Sequence, residues 1–178
     1  FSELRDAGFA PSEMVVLLRA YADAPTFADA LEQAGFVTSV VGGNRFFELR
    51  EVGAMRALCR VIANPHDDEA LAQLLVSDLL EDGTCLLVRC AGLAHESQQR
   101  RSLWDRLSRL AEIPGQDSER AAVIVRTVER ARDAAPVTGL AQALASACEG
   151  LGIDAYLDAL GAQGRIIRAN IIQFCRKA

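Results

Sequence analysis

The sequence predicts a mainly α-helical protein, a helical bundle preceded by a small N-terminal β-α-β edge. Ala and Leu dominate the composition, which gives a high summed helix propensity. From about residue 51 onward, apolar residues recur at helical spacing. In the first 50 residues, by contrast, two continuous apolar runs flank one helical pattern, which is typical of strands buried on both faces of a parallel sheet.

The N-terminal elements follow in the order strand, helix, strand. The run Met14–Arg19 predicts the first strand, and Phe36–Val41 predicts the second. Between them, Pro25–Ala34 has helical spacing and ends at Gly35, a typical C-terminal cap residue. This order predicts a right-handed crossover between parallel strands. Because two strands do not make a stable sheet, we expect the remaining strands to come from elsewhere.

The remainder of the chain predicts helices only. Their expected ranges are Glu51–Ala63, Asp67 or Asp68 to Leu75, Thr84–Ala94, Ser102–Ala111, Ser118–Ala134, Val137–Leu151 and Arg165–Ala178. Asn64-Pro65 predicts the end of the first of these, since the residue before a proline disfavours helix. The range Val137–Leu151 has the clearest apolar stripe, with Leu144, Ala147 and Leu151 on one face.

Charge and cysteine content restrict the class of protein. The formal net charge is −5 and the pI is about 5.1, whereas free-standing nucleic-acid modules usually have a pI above roughly 9. A local basic strip within a larger protein is still compatible with this balance. The five cysteines include no C-x-x-C pair, which predicts a reduced, cytoplasmic protein with buried thiols. Neither a leader nor an apolar run of membrane length is present, so we expect no membrane partner.

Five segments of the first 80 residues match, in order, the pattern of one known protein family. They are Met14–Arg19, the helix at 27–34 followed by Gly35-Phe36-Val37, the run Val41–Val52, the run Ala57–Asp68, and Leu71–Leu75. Together they resemble the second half of superfamily 1 DNA helicases of the UvrD/Rep type, AddA/RecB-type helicase–nucleases included. The final helix, Arg165–Ala178, resembles the segment in which the family's chain returns to its motor core.

The resemblance implies a division of the chain. Residues 1–50 would be part of the second RecA-like motor domain, and residues 51–178 the helical insertion usually called the 2B subdomain. The chain would then be a fragment of an ATP-dependent DNA helicase, of UvrD/Rep or exonuclease V type, that supports or regulates DNA unwinding. DNA and the rest of the motor would be its partners, with ATP and Mg²⁺ the cofactors of the parent protein.

The motifs of ATP hydrolysis are missing from the sequence. It contains no G-x-x-x-x-G-K-[ST] loop, which would hold phosphates. The family's "T-x-H-x-x-KG" and arginine-finger segments are also missing. We therefore expect no catalytic residue and no cofactor within the chain itself. Since the chain begins at Phe1, within a pattern, we expect it to be part of a longer protein.

One loop departs from the family pattern. UvrD and Rep have a Gly-rich loop in the insertion whose backbone amides approach a duplex phosphate. The corresponding segment, 77–84, contains one glycine and three acidic residues. Acidic side chains repel phosphate, so this departure argues against a duplex contact and favours the AddA/RecB relatives.

Candidate DNA-binding residues fall in two groups. They are Gly42, Gly43, Asn44, Arg45, Arg50, Arg100, Arg101 and Trp104. Backbone amides and guanidinium groups bind phosphates, and an indole stacks on bases. The alternative interpretations are a turn at the glycines, a surface ion pair for Arg50, and a solvated helix face with Trp104 in the core.

Two other clusters have both a chemical and a structural interpretation. Cys85, Cys90 and His95 could form a nucleophile or a zinc site, although buried thiols beside a surface histidine are the simpler explanation. The run 66–69, His-Asp-Asp-Glu, could bind a metal, but acidic residues at a helix start are better explained by capping. A different class of function, an α-helical protein-interaction scaffold, would use the Val137–Leu151 stripe as its docking surface.

Overall fold

The computed structural model describes residues 1–38, 40, 44–96 and 101–177, without the side chains at 21, 44, 45, 94–96 and 116. The chain divides into two compact units, Phe1–Phe47 and Glu48–Ala178. Each is described by itself below.

The N-terminal unit contains helices α1 (Ser2–Asp6) and α2 (Ala24–Gln33), with short 3₁₀ helices at Pro11–Glu13 and Tyr21–Asp23. A further 3₁₀ helix covers Asn44–Glu48. Phe36 is the aromatic centre of this unit and is 7 % exposed. The Phe1 ring packs edge-on against it at 5.8 Å, and the Arg5 guanidinium lies 4.9 Å from its centroid. Such a cation–π contact stabilises a small cluster that has few other core residues.

The predicted helix of this unit is confirmed, but the predicted β-α-β edge is not shown. The helix Pro25–Ala34 appears as α2. Within the described residues, Met14–Arg19 and Phe36–Val41 form no strand. Val15 and Leu17 are 77 % and 90 % exposed. The physical reason is that a strand needs a neighbour to take its backbone hydrogen bonds, and the described part of this unit provides none.

The C-terminal unit is a helical bundle, as the sequence predicts. Its helices are α3 (Arg50–Ala63), α4 (Asp68–Leu75), α5 (Gly83–Glu96), α6 (Leu103–Glu112), α7 (Gln116–Thr138), α8 (Leu140–Gly150), α9 (Ile153–Ala159) and α10 (Ala162–Cys175). The central helix, α3, packs against α4, α7 and α10. Its residues Val52, Met55, Leu58 and Ile62 are buried, because they recur at three- and four-residue spacing along one face.

One predicted helix begins later than expected. The sequence places Val137 at the start of the helix Val137–Leu151, but it belongs to the last turn of α7 and is 86 % exposed. Gly139, with a φ of 85°, separates α7 from α8. This left-handed conformation is easily adopted by glycine and ends a helix.

The short helix α9 is an element that the sequence pattern does not predict.

Two glycines allow backbone segments of the bundle to approach closely. A Cβ atom at Gly164 in α10 would overlap the carbonyl oxygen of Leu157 in α9. A Cβ atom at Gly83, at the start of α5, would overlap the carbonyl oxygen of Leu75. Both positions therefore require glycine for reasons of space.

In the described part of the chain, no helix is long and apolar enough to cross a membrane.

Candidate nucleic-acid interface

The acidic run after α3 caps α4. The side chain of Asp67 accepts hydrogen bonds from the Ala70 backbone N–H at 3.1 Å and from Arg60 Nε at 2.9 Å. These interactions, the Ala70 hydrogen bond first, lower the pKa of Asp67 below its ordinary value. Arg60 also donates to Glu69 at 3.0 Å. The capping role predicted for this run is therefore confirmed.

A second polar cluster fixes the start of α6. Ser102 Oγ accepts from the Asp105 backbone N–H, and Asp105 Oδ2 accepts from the Ser102 backbone N–H, each at 3.1 Å. This reciprocal pair lowers the pKa of Asp105, mainly through its hydrogen bonds with Ser102. The Leu103 backbone N–H donates to Asp68 Oδ1 at 2.8 Å, and His66 Nδ1 lies 2.9 Å from Ser102 Oγ. The start of α6 is thereby attached to the α3–α4 turn.

Apolar spacing predicts the helix but not this second cluster, although the sequence does contain a local signal for it. Serine followed three residues later by an acidic side chain, before an apolar run, is a recognisable helix start. The contacts from Asp68 and His66 cross 35 and 36 residues of sequence and have no local signal.

The basic stretch near α6 is only partly exposed. Arg101 is exposed and forms no hydrogen bond to another described residue, and Arg109 is also exposed. Arg106 instead donates to the carbonyl oxygens of Ser102 and Cys90, at 3.3 and 3.5 Å. Trp104 is 8 % exposed and belongs to the core, so its ring cannot stack on a base in this conformation. Gln98, Gln99 and Arg100 lie outside the described residues.

The other candidate group lies near the division between the units. Gly42 and Gly43 lie outside the described residues, and Asn44 and Arg45 lie in a 3₁₀ helix whose side chains at those two positions are not described. Arg50, at the start of α3, is 3.6 Å from Asp78, and the two side chains are 90 % and 70 % exposed. An ion pair this exposed contributes little, about 0–1 kcal/mol.

The acidic loop between α4 and α5 is held by hydrogen bonds to its backbone. Ser77 Oγ donates to the Leu74 carbonyl at 2.7 Å, and Arg120 Nε donates to the Glu81 carbonyl at 3.3 Å. Asp82 has a φ of 60°, a conformation that non-glycine residues seldom adopt. The loop thus presents the carboxylates of Asp78, Glu81 and Asp82 to solvent, which is unfavourable for a phosphate.

Two of the cysteines are buried. Cys90 is fully buried, and burial raises its pKa to about 11. Burial also raises the pKa of Cys148 to about 12, and its thiol donates to Met55 Sδ at 3.8 Å. Protonated thiols are poor nucleophiles at neutral pH. The His95 side chain is not among those that the structure describes. Among the described residues, no three His, Cys, Asp or Glu side chains are placed so that they could hold a metal ion.

Known proteins are similar in sequence to parts of this chain. Residues 2–89 match the UvrD-like helicase C-terminal domain. Over 79 residues, 44 % of this chain, the sequence is 39 % identical to an ATP-dependent helicase/nuclease subunit of Moorella thermoacetica, of which that segment is 6 %. The protein of the same name from Oceanobacillus iheyensis is 28 % identical over 68 % of this chain and 9 % of its own length.

A relative with a different name matches a shorter part of the chain. The protein named DNA helicase II in Escherichia coli is 35 % identical over 71 residues, which are 40 % of this chain and 10 % of that protein. The chain therefore spans a tenth or less of the length of these relatives.

Proposed function

Since the chain is a relative of the UvrD/Rep-like superfamily 1 helicases, we propose that it is a section of an ATP-dependent DNA helicase that supports or regulates unwinding without hydrolysing ATP itself. The observation that carries this proposal is the match over residues 2–89, which runs through the N-terminal unit and into α5 of the bundle. The missing phosphate-binding loop supports the non-catalytic part of the proposal.

We propose that residues 1–50 belong to a RecA-like motor domain and that residues 51–178 form a 2B-like insertion. The exposure of Val15 and Leu17 supports this division, because an apolar run of this kind is normally covered. In the parent protein, the strands of the motor sheet would cover it. Met14–Arg19 and Phe36–Val41 would then become strands, since the neighbouring strands would take their backbone hydrogen bonds.

We propose that the chain contacts DNA through Gly42 to Arg45, Arg50 and the arginines before α6. Support comes from Arg101, which is exposed and directly precedes Ser102, the capped start of α6. The net charge of −5 limits the strength of the contact, so binding by the isolated chain is expected to be weak and to fall steeply with added salt.

The names of the relatives suggest the wider role. Both helicase and helicase/nuclease proteins are similar to this chain, and we propose a cytoplasmic parent that acts in DNA repair or recombination. The acidic loop at 77–84 favours the helicase/nuclease side of the family, in which the parent would work beside an exodeoxyribonuclease activity.

The first test is an ATPase assay of the 178-residue chain with single-stranded DNA. We expect no turnover above that of a heat-denatured sample. Turnover that grows with protein concentration and responds to DNA would show that the chain contains a motor, and would overturn the non-catalytic assignment.

The second test is fluorescence anisotropy with a labelled single-stranded oligonucleotide at low salt. We expect weak binding that Arg101→Ala reduces by about threefold or more, since one phosphate contact is removed. The matched control is Arg165→Ala, an exposed arginine in α10. Equal loss in both variants would point to general electrostatics and would contradict a specific contact at Arg101.

The scaffold alternative is not favoured by the bundle. Leu144, Ala147, Cys148 and Leu151, the stripe that would have formed its docking surface, are all buried within the C-terminal unit. A stripe that packs in the protein's own core cannot also receive a partner helix.

A further inference from the structure

Sulfur-containing side chains from three helices come together in the C-terminal unit. Cys148 in α8 donates its thiol to Met55 in α3, with the two sulfur atoms 3.8 Å apart, across 93 residues of sequence. Cys59 lies four residues after Met55, one turn further along the same side of α3. Helix α10, which ends at Cys175, packs against both α3 and α8. The cysteines at 59, 148 and 175 are free thiols and therefore lie on three helices that are in contact.

These three thiols are close enough to act on one another electrostatically. Burial, and then the charge of Cys175, raise the pKa of Cys59 to about 11. Burial also dominates at Cys148, where the charges of Cys175 and Cys59 help to raise the pKa to about 12. The pKa of Cys90, by contrast, responds to Arg106 and to burial. Since such effects between side chains are strong only at short range, the three thiols form one cluster.

The members of the cluster differ in their access to solvent. Cys148 is buried, whereas Cys59 and Cys175 are half-buried. A small reagent can therefore reach the sulfur atoms of Cys59 and Cys175 more easily than that of Cys148. Cys175 is also the last residue of α10, and helix ends open more readily than helix interiors. This freedom allows two Cα atoms to reach the separation of roughly 4.4–6.8 Å that a disulfide requires.

We propose that Cys59 and Cys175 form a redox-sensitive link between α3 and α10, open in the reduced chain and closed as a disulfide after oxidation. These are the first and last helices of the C-terminal unit. A hydrogen bond between Glu51 and Asn170 already joins the same two helices near the start of α3. The disulfide joins them again, closer to the ends of both.

Hydrogen peroxide is the oxidant that this chemistry requires. The thiolate of Cys175 attacks one peroxide oxygen, so that an S–O bond forms, the O–O bond breaks, and the departing hydroxide takes up a proton to become water. The thiolate of Cys59 then attacks the sulfur of the resulting sulfenic acid. The S–S bond forms as the S–O bond breaks, and a second water leaves. Two thiols are thereby oxidised to a disulfide, and one peroxide is reduced to two waters.

The closed link should make the bundle harder to unfold. A disulfide between residues far apart in sequence restricts the unfolded chain strongly, because it closes a long loop. We therefore expect the urea midpoint of the oxidised chain to rise by about 1 M or more, and to return to its former value after reduction with dithiothreitol.

Peptide mass spectrometry of the peroxide-treated, folded chain identifies the link directly. Digestion without reduction should yield one peptide pair joined through Cys59 and Cys175, at mildly alkaline pH, where more of each thiol is ionised. Cys59→Ser and Cys175→Ser should each abolish both this pair and the rise in urea midpoint. Cys85→Ser is the matched control and should retain both, since Cys85 is exposed and lies outside the cluster. Circular dichroism before oxidation establishes that every variant is folded.

The urea midpoint separates a link within the folded bundle from incidental oxidation. A linked chain that unfolds at the same urea concentration as the reduced chain would overturn the proposal. So would a folded chain in which peroxide leaves both thiols free or oxidises them without joining them. Joining of either cysteine to Cys148, or to a second copy of the chain, would equally contradict the assignment of the pair.

Discussion

The side-chain amide of Asn170 donates a 2.7 Å hydrogen bond to Oε1 of Glu51, across 119 residues of sequence. Glu51 lies in the first turn of α3, and Asn170 lies in the middle of α10. The contact therefore joins the first and last helices of the C-terminal unit. In the proposed parent protein, these are also the helices nearest to the two connections with the motor.

Replacing Asn170 with Asp should destabilise the bundle more than replacing it with Ala. The Ala variant loses one part-buried hydrogen bond to a carboxylate. Its free energy of unfolding should therefore fall by up to about 3 kcal/mol. Asp adds repulsion between two carboxylates at the same place. Urea unfolding at pH 7 measures both changes. Glu51→Gln keeps an acceptor for Asn170 and serves as the control, and a smaller loss for Asp than for Ala would contradict the contact.

Gly164→Ala should strongly destabilise the α9–α10 packing. The added methyl would overlap the Leu157 carbonyl, and backbone must move to make room. Overpacking of this kind costs about 1–3 kcal/mol or more. The thermal midpoint should fall accordingly. Gly92→Ala in α5 is the matched control, because a Cβ there meets nothing within 4 Å. This second change should leave stability unchanged or raise it by up to about 1 kcal/mol, through helix propensity.

The contribution of Asp67 to stability should disappear at low pH. Its pKa is lowered in the folded protein, chiefly by the Ala70 hydrogen bond, and so its carboxylate favours the folded state above the unfolded pKa. As the pH falls through the folded pKa, which lies below 3.8, that contribution is lost. The destabilisation caused by Asp67→Ala should therefore be greatest near neutral pH and should shrink as the solution becomes strongly acidic.

Urea unfolding of the wild type and of Asp67→Ala, measured from neutral to strongly acidic pH, tests the direction of this change in stability. Asp67→Asn is the informative control, since Asn also caps helices but cannot pair as a charge with Arg60. It should lose less stability than Asp67→Ala at neutral pH. A gap between wild type and Asp67→Ala that widens on acidification would contradict the assignment.

Alkylation should separate the exposed cysteine from the buried ones. Cys85 is exposed, whereas burial raises the pKa of Cys90 to about 11 and that of Cys148 to about 12. Iodoacetamide reacts with the thiolate, so at mildly alkaline pH Cys85 should be labelled first. Peptide mass spectrometry at successive times measures the order, with a urea-unfolded sample as control. Labelling of native Cys90 as fast as Cys85 would reopen the question of a reactive thiol.

Much of the bundle could be predicted from the sequence, because helix formation depends on local signals. The spacing of Val52, Met55 and Leu58 predicts α3 and its buried face, and both are confirmed. Asp67 is predictable as a cap because its partner, Ala70, is three residues away. The boundary between α7 and α8, near Val137, is not predictable in this way. The apolar pattern continues through Gly139, and the helix ends where that residue adopts a φ of 85°.

The order of residues is enough to predict that this chain is mainly helical, that its first 80 residues resemble a helicase segment, and that it contains no phosphate-binding loop. Which polar side chains of the described residues are engaged becomes visible in the folded bundle alone. Trp104 and Arg106 turn inward while Arg101 stays exposed. The difference comes from the distance along the chain over which each interaction acts. Periodicity and capping act over three or four residues, whereas burial and ion pairing depend on helices that are distant in sequence and meet only in the folded bundle.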